Sequence, residues 1–331
     1  MKVVSKLLCI STLLGLISLP TIAAAEASQP NRPECIAPAQ PGGGFDLTCR
    51  IAVTSLQQTK LLEKPMRTIY MPGGIGAVAY NNIINSNPVD PNIIVAFSGG
   101  SLLNLAQGKF GRYTSKDVRW VAAVGSDYGA VVVKKDSPYQ DLKSLMQALS
   151  QDPSQVVFGA GGSVGSQDWM TAALTARAAG VDYKKMRFVA FEGGGESANA
   201  LRGGHVQVLI TGAAEAKELV ESGAPVKVLA VYSDERLPGV FKDTPTAKEL
   251  GYDIDWAIIR GFYVGPKVSD EAYNWWVNAF NQLYKTEEFR KIQEQQGLFT
   301  FEKTGKELDA YVQERVKRYA ELADSFGLLK K

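Results

Sequence analysis

Short apolar runs that end in glycines and pass straight into helical periodicity recur along the whole chain, and this repetition limits the fold more than any other feature. Cys35–Ala39 is apolar, Gly42-Gly43-Gly44 follows, and Leu47, Ile51 and Leu56 then mark a helix over 47–58. Met66–Met71 reads as a strand that turns through Pro72-Gly73-Gly74 into a helix over 77–84. Ile93–Ser98 is a buried-type strand leading through Gly99-Gly100 into a helix over 102–106. A second series follows, with strands at 118–124, 130–134, 156–159, 187–191, 206–211 and 226–232. Helices at 141–149, 169–178, 198–201 and 214–221 separate its later strands. Strand, glycine turn and helix in repeated order predict an α/β chain with a doubly wound, parallel sheet. The tail differs: "WAIIRGFYVGP" reads as two short strands, and helices are expected at 270–284, 287–296 and 305–326.

The N-terminus bears on the compartment. Lys2 and Lys6 precede an almost wholly apolar run from Leu7 to Leu19, Pro20 ends it, and Ala23-Ala24-Ala25 supplies small residues for cleavage. Residues 1–25 read as a secretory signal peptide cut after Ala25, with a retained signal anchor as the alternative, so the remaining chain is expected to be exported. Cleavage removes two lysines and no acid, so the net charge of +2 falls to about zero. A neutral chain without a basic stripe gives no reason to expect nucleic acid as a partner. About 306 residues remain, above the usual size of one core, so two lobes are expected. We read residues 26–126 and 234–331 as one lobe and 127–233 as the other, with a cleft and a hinge between them. Cys35 and Cys49 are the cysteines left after processing. An even count in an oxidising compartment suggests a disulfide, which would close a loop of about fifteen residues; two buried thiols are the alternative.

The glycine turns carry the functional expectation. In open α/β sheets ligands bind beyond the carboxyl ends of the strands, where these turns fall. Helix N-termini offer unpaired N–H groups and partial positive charge, and glycine lets an anion approach the backbone. The turns at 42–44, 73–74, 99–100, 159–165 and 193–195 therefore read as an anion grip, with Gly43, Gly44, Gly74, Gly162 and Gly194 as backbone donors. Ser98, Ser101, Ser163, Ser166, Gln167 and Thr211 stand where they could add side-chain hydrogen bonds. Asp46 and Asp168 fall near helix starts, where capping is the simpler role, since an acid repels an anionic ligand. Arg50 is one turn beyond Asp46 and can pair with it. Phe45 is either a wall of the cleft or a hydrophobic staple.

Two motifs offer rival chemistry. Gly161-Gly162-Ser163-Val164-Gly165 matches the G-x-S-x-G elbow of serine hydrolases, with Asp168 or Asp182 and then His205 in the right chain order. That makes an exported esterase using Ser163 the alternative function. His205, the one histidine, sits in "RGGHVQV" at a turn entering a strand, where a structural role is the simpler reading. Gly74-Ile75-Gly76-Ala77-Val78-Ala79 matches the dinucleotide fingerprint, but no acid ends a strand about twenty residues on. With one histidine, no metal-ligand cluster of usual spacing is present.

"PGGGFDLTCR", "MPGGIGAVAYN", "GAGGSVGSQDW", "LRGGHVQV" and "VKVLAVYSDERLPGVFKDTPTAKELGYD" occur in this order over nearly all of the mature chain. Together they resemble the solute receptors of tripartite tricarboxylate transporters, the Bug or TctC-like receptors. The resemblance implies a type II periplasmic binding-protein fold with two doubly wound lobes. It implies a monomeric receptor, not an enzyme, that needs no cofactor or metal. Its solute would be a small di- or tricarboxylate, citrate-like, passed to a membrane permease. The loops after the first and fifth strands would grip one carboxylate, and they map here to Gly43–Asp46 and Gly162–Asp168. The Cys35/Cys49 pair resembles the tricarboxylate-receptor branch. Many relatives have His where Gln167 or Asp168 stands, so this chain departs from the pattern at that corner.

Overall fold

The computed structural model describes residues 29–329; the expected signal peptide lies outside them. In chain order the elements are β1 (Glu34–Ala37), α1 (Gly44–Gln58), β2 (Arg67–Tyr70), α2 (Ala77–Asn85), β3 (Ile93–Ser98) and α3 (Gly99–Ala106). Then come β4 (Arg119–Lys134), α4 (Leu142–Gln151), β5 (Val157–Gly161), α5 (Gln167–Ala178), β6 (Arg187–Phe191) and α6 (Gly194–Arg202). The rest are β7 (Val208–Gly212), α7 (Ala213–Glu221), β8 (Val226–Val231), β9 (Ala257–Val264), α8 (Asp270–Leu283), α9 (Glu287–Gln295) and α10 (Gly305–Ser325).

The strands follow the order β2-β1-β3-β9-β4-β7-β5-β6, with β8 also on β4. β1 pairs in parallel with β2 and β3, and β5 in parallel with β6 and β7. The expectation of a purely parallel sheet needs correction at the centre. β9 runs antiparallel to both β3 and β4, and β4 runs antiparallel to β7 and β8. β9 is one eight-residue strand and not two, because Gly261 stays in the ladder. A Cβ there would lie 2.3 Å from the Ala122 carbonyl oxygen, so this glycine serves close strand packing. The strands expected at 118–124 and 130–134 are likewise one sixteen-residue strand, β4. Arg119–Tyr128 pair with β9, and Gly129–Val133 pair with β7. One strand thus belongs to both parts of the sheet.

Local signals explain most of the remaining elements. In α4, Leu142, Leu145, Met146 and Leu149 recur at 3.6-residue spacing and are all buried. Asp141 and Ser144 close a capping box that fixes where this helix starts. β3 is buried along its whole length between β1 and β9, as its unbroken apolar run requires. Phe97 on β3 packs edge-on to Trp120 on β4 with ring centroids 4.7 Å apart, and Trp120 does the same to Tyr263 on β9. Cys35 on β1 is disulfide-bonded to Cys49 on α1, and both residues are fully buried. The bridge ties the first strand to the first helix across the glycine loop, as the sequence suggests. No helix among the described residues is long and apolar enough to cross a membrane.

Candidate functional site

Two glycine loops of one design meet at the switch between the two parts of the sheet. The first, Gly42-Gly43-Gly44-Phe45-Asp46, opens α1; the second, Glu192-Gly193-Gly194-Gly195-Glu196, opens α6. In each, a glycine at the N-cap gives the helix no side-chain cap. In each, the acid three residues later reaches back: Asp46 Oδ2 accepts from Gly42 N at 3.0 Å, and Glu196 Oε2 accepts from Glu192 N at 3.1 Å. The acids thereby staple the loops shut, while the first-turn N–H groups lack the intrahelical partners that later residues have. Gly42 has φ of +84°, a turn that a side chain would strain.

The two loops lie against each other. A Cβ on Gly43 would come within 3.1 Å of the Gly194 nitrogen, and one on Gly195 within 2.7 Å of the Pro41 carbonyl oxygen. Only bare backbone fits this approach. Three polar contacts reinforce it. Arg50 Nη2 on α1 bonds Glu218 Oε1 on α7 at 2.6 Å. After α3, Gln107 Nε2 donates to the Gly165 carbonyl and Lys109 Nζ to the Val164 carbonyl, each at 2.6 Å. A cavity of about 60 Å³ remains between the walls, well under the ~300 Å³ at which small-molecule sites begin. Behind the glycine contact a second hollow of about 420 Å³ begins.

Eight of the residues expected from sequence line the cavity: Gly43, Gly44, Phe45, Ser98, Ser166, Gln167, Asp168 and Gly194. Asp46, Gly74, Ser101, Gly162, Ser163 and Thr211 are outside that lining, each for a visible reason. Asp46 also accepts from the Tyr70 hydroxyl at 2.7 Å and lies 3.5 Å from Arg50 Nε, so the pairing with Arg50 forms but the carboxylate serves the loop and not a helix cap. Gly74 belongs to the turn before α2, where its neighbour Ile75, at φ +48°, faces the cavity instead. The Ser101 hydroxyl closes a capping box with Ser98 at the start of α3. The Gly162 N–H donates to the Phe191 carbonyl. Thr211 lines the rear hollow. Ser163 is exposed, and no hydrogen bond joins it to His205 among the described residues, so the hydrolase geometry is not assembled. Phe45 is 8% exposed and serves both as cleft wall and as part of a buried cluster.

Sequence reasoning missed the charged centre. Arg260 on β9 is 2% exposed, and its Nη2 bonds Asp127 Oδ2 on β4 at 2.6 Å. Asp127, fully buried, also accepts from the N–H groups of Tyr128 and Ala214 at 2.7 and 3.1 Å. Glu215 on α7 lies 3.6 Å from Arg260 Nη2 and accepts from Gly212 N. The guanidinium sits so close to α1 that a Cβ on Gly44 would be 1.9 Å from Nη1. Burial opposes the charge on Arg260, yet Asp127 and Glu215 together raise its pKa. Asp168 does not cap α5; Ser166 does, accepting from Trp169 N, while Asp168 Oδ2 accepts from Gly161 N at 3.1 Å. Burial, and then the Glu215 charge, push the Asp168 carboxyl up to about 7. Burial also raises Glu215. A lone Arg inside the apolar run "AIIRGFYV" was the signal available for this cluster. Among the described residues no group of three or more His, Cys, Asp or Glu side chains is placed to hold a metal ion.

Known proteins share this fold. A receptor from Polaromonas, described as a TctC solute binding protein, is 26% identical, with a TM-score of 0.60 over 90% of this chain and 100% of its own. MatC from Rhodopseudomonas palustris with bound malate is 21% identical, with a TM-score of 0.76 over 88% of this chain and 98% of its own. The periplasmic binding protein BugD is 21% identical, with a TM-score of 0.81 over 91% of this chain and 100% of its own. None of the curated proteins compared matches the chain. The fold is therefore the periplasmic binding-protein type that the sequence motifs imply, with the central antiparallel strands noted above. The family model described as "Tripartite tricarboxylate transporter family receptor" matches residues 55–328, and with the glycine loops, the shared fold and the ordered motifs it establishes that the chain belongs to that receptor family.

Proposed function

We propose that this protein is a periplasmic solute receptor that closes on a small di- or tricarboxylate, of citrate's size class, and presents it to a membrane permease. The observation that carries the reading is the meeting of two uncapped, glycine-led helix N-termini, from α1 and α6, at one cavity. N–H groups of this kind favour anions without needing a cationic side chain. The malate bound to MatC supports a dicarboxylate of that kind as ligand here. The two lobes we assign, 26–126 with 234–331 and 127–233, would separate to admit the acid and close as their amides replace its water. The chain would act as a monomer after loss of residues 1–25.

A thermal-shift panel of carboxylic acids tests the function. A ligand at about one hundred times its Kd stabilises by about 2.7 kcal/mol, a clear rise in melting temperature. A panel of di- and tricarboxylates that leaves the melting curve unmoved sinks the proposal. The grip has its own test. Gly195→Val would push against the Pro41 carbonyl only when the walls meet. Overpacking of about 1–3 kcal/mol on the shut form weakens binding by roughly 5- to 150-fold. Calorimetric titration showing unchanged affinity in this variant would mean that the loops need not touch for binding.

A further inference from the structure

A separate hollow of about 360 Å³ lies where α10 passes α5 and the segment that leads into β9, and it shares no lining residue with the cavity between the glycine loops. Its volume is within the range of small-molecule sites. α10 turns one stripe toward it, because Arg315, Arg318, Tyr319 and Leu322 recur at helical spacing. Arg315 is half-buried and held in place. Its guanidinium carbon lies 5.2 Å from the Tyr311 ring centroid and 5.8 Å from that of Tyr319, and its Nη2 donates to the Tyr311 hydroxyl at 2.7 Å. Arg318 pairs with Glu314, whereas Arg315 forms no ion pair among the described residues. Trp256, 6% exposed, also lines the hollow, and its ring stacks on Tyr319 with centroids 5.9 Å apart. Its indole N–H is buried without a hydrogen-bond partner. Buried donors are normally paired, so this wall lacks an acceptor. Two acids complete the lining: Asp255 is held by Lys248 Nζ at 3.1 Å, and Asp253 is exposed.

We propose that this hollow is a second ligand site, for a small organic acid with one negative charge on a flat apolar body. The carboxylate takes the N–H groups of Arg315 that Tyr311 leaves free, as charge-assisted bonds. The two tyrosines fix the guanidinium beforehand, so little of its freedom is lost on binding. The apolar body lies against Trp256 and Leu322, where leaving water favours binding. Asp253 and Asp255 set the charge count. A second carboxylate on the ligand shares the hollow with them and is repelled, whereas an uncharged body leaves Arg315 without a partner. Nothing in this site requires the glycine loops to be occupied.

Isothermal titration of the mature protein with benzoate, benzyl alcohol and benzylamine tests the assignment. Benzoate binds with a Kd of about 1 mM or tighter, and the alcohol and the amine bind at least about tenfold more weakly. Arg315→Met keeps the apolar stem and weakens benzoate by about 10- to 100-fold, the value of a charge-assisted bond. Arg315→Lys recovers only part of that loss, because an ammonium lacks the planar fork. Ala257 is exposed in the lining, so Ala257→Phe narrows the hollow from its rim without entering the core. It too weakens benzoate by about tenfold or more. Circular dichroism checks that each variant folds. Equal or tighter binding by the alcohol or the amine overturns the inference, as does an absence of benzoate binding. Benzoate affinity unchanged in whichever of these variants folds places the anion elsewhere and overturns it as well.

Discussion

Replacing Arg260 with methionine lowers folding stability by about 3–5 kcal/mol, the cost of leaving a buried carboxylate without its partner. Asp127 is fully buried between β9 and the start of α7, and Arg260 provides its counter-charge at 2.6 Å. Methionine fills similar length but offers no charge and no donor. The two backbone N–H groups that Asp127 also binds, from Tyr128 and Ala214, do not neutralise it. Urea unfolding of the wild type, the Arg260→Met variant and the Arg260→Met/Asp127→Asn double variant measures the effect. The double variant recovers part of the loss, because the stranded charge is gone. A single variant within about 1 kcal/mol of wild type would mean that water reaches Asp127 and takes the place of the missing partner. The change also removes a cation beside Gly44 in the cavity lining.

Loss of the Cys35–Cys49 bridge costs about 3 kcal/mol, the chain-entropy value for a loop of this size. The two cysteines are fourteen positions apart, and the ring they close contains the whole segment Gly42–Asp46. Three glycines without the bridge gain more freedom in the unfolded chain than any other residues would. The paired substitution Cys35→Ala/Cys49→Ala is compared with oxidised and reduced wild type by chemical unfolding. Matching midpoints for all three would show that burial of α1 against β1 and β3, and not the bridge, holds this segment.

Much of the fold can be read directly from the residues, because local signals place most elements. The glycine turns ahead of α1 and α6 mark where helices begin, and the 3.6-residue spacing in α4 marks a buried face. What escaped was non-local. Gly125, Ser126 and Asp127 interrupt an apolar run and look like a turn between two strands. In the fold, Ser126 and Asp127 pair with Ile259 and Ile258, and Asp127 finds Arg260, 133 residues away. No local pattern announces a partner at that distance. The candidate site divides in the same way. That Gly43, Gly44 and Gly194 line the cavity follows from glycine next to a helix start, which the sequence displays. Glu215 looks like an ordinary polar residue in the first turn of α7, and only the crossing of α7 over β4 turns it toward the cavity. Asp168 was assigned to a cap because it stands near a helix start, but Ser166, two residues earlier, holds that place.

The sixteen-residue β4 has one further consequence. Its first ten residues are laddered to β9 and its last ones to β7 and β8, so a single extended ribbon is shared by both parts of the sheet. A rotation of one part against the other would twist that ribbon together with the return segment between β8 and β9. Within the half laddered to β9, the register shifts between Ala123 and Gly125, where Gly125 takes a φ of +146° that side chains avoid. In the two-lobe reading proposed above, β4 and the return segment between β8 and β9 are the two crossings that a rotation would twist.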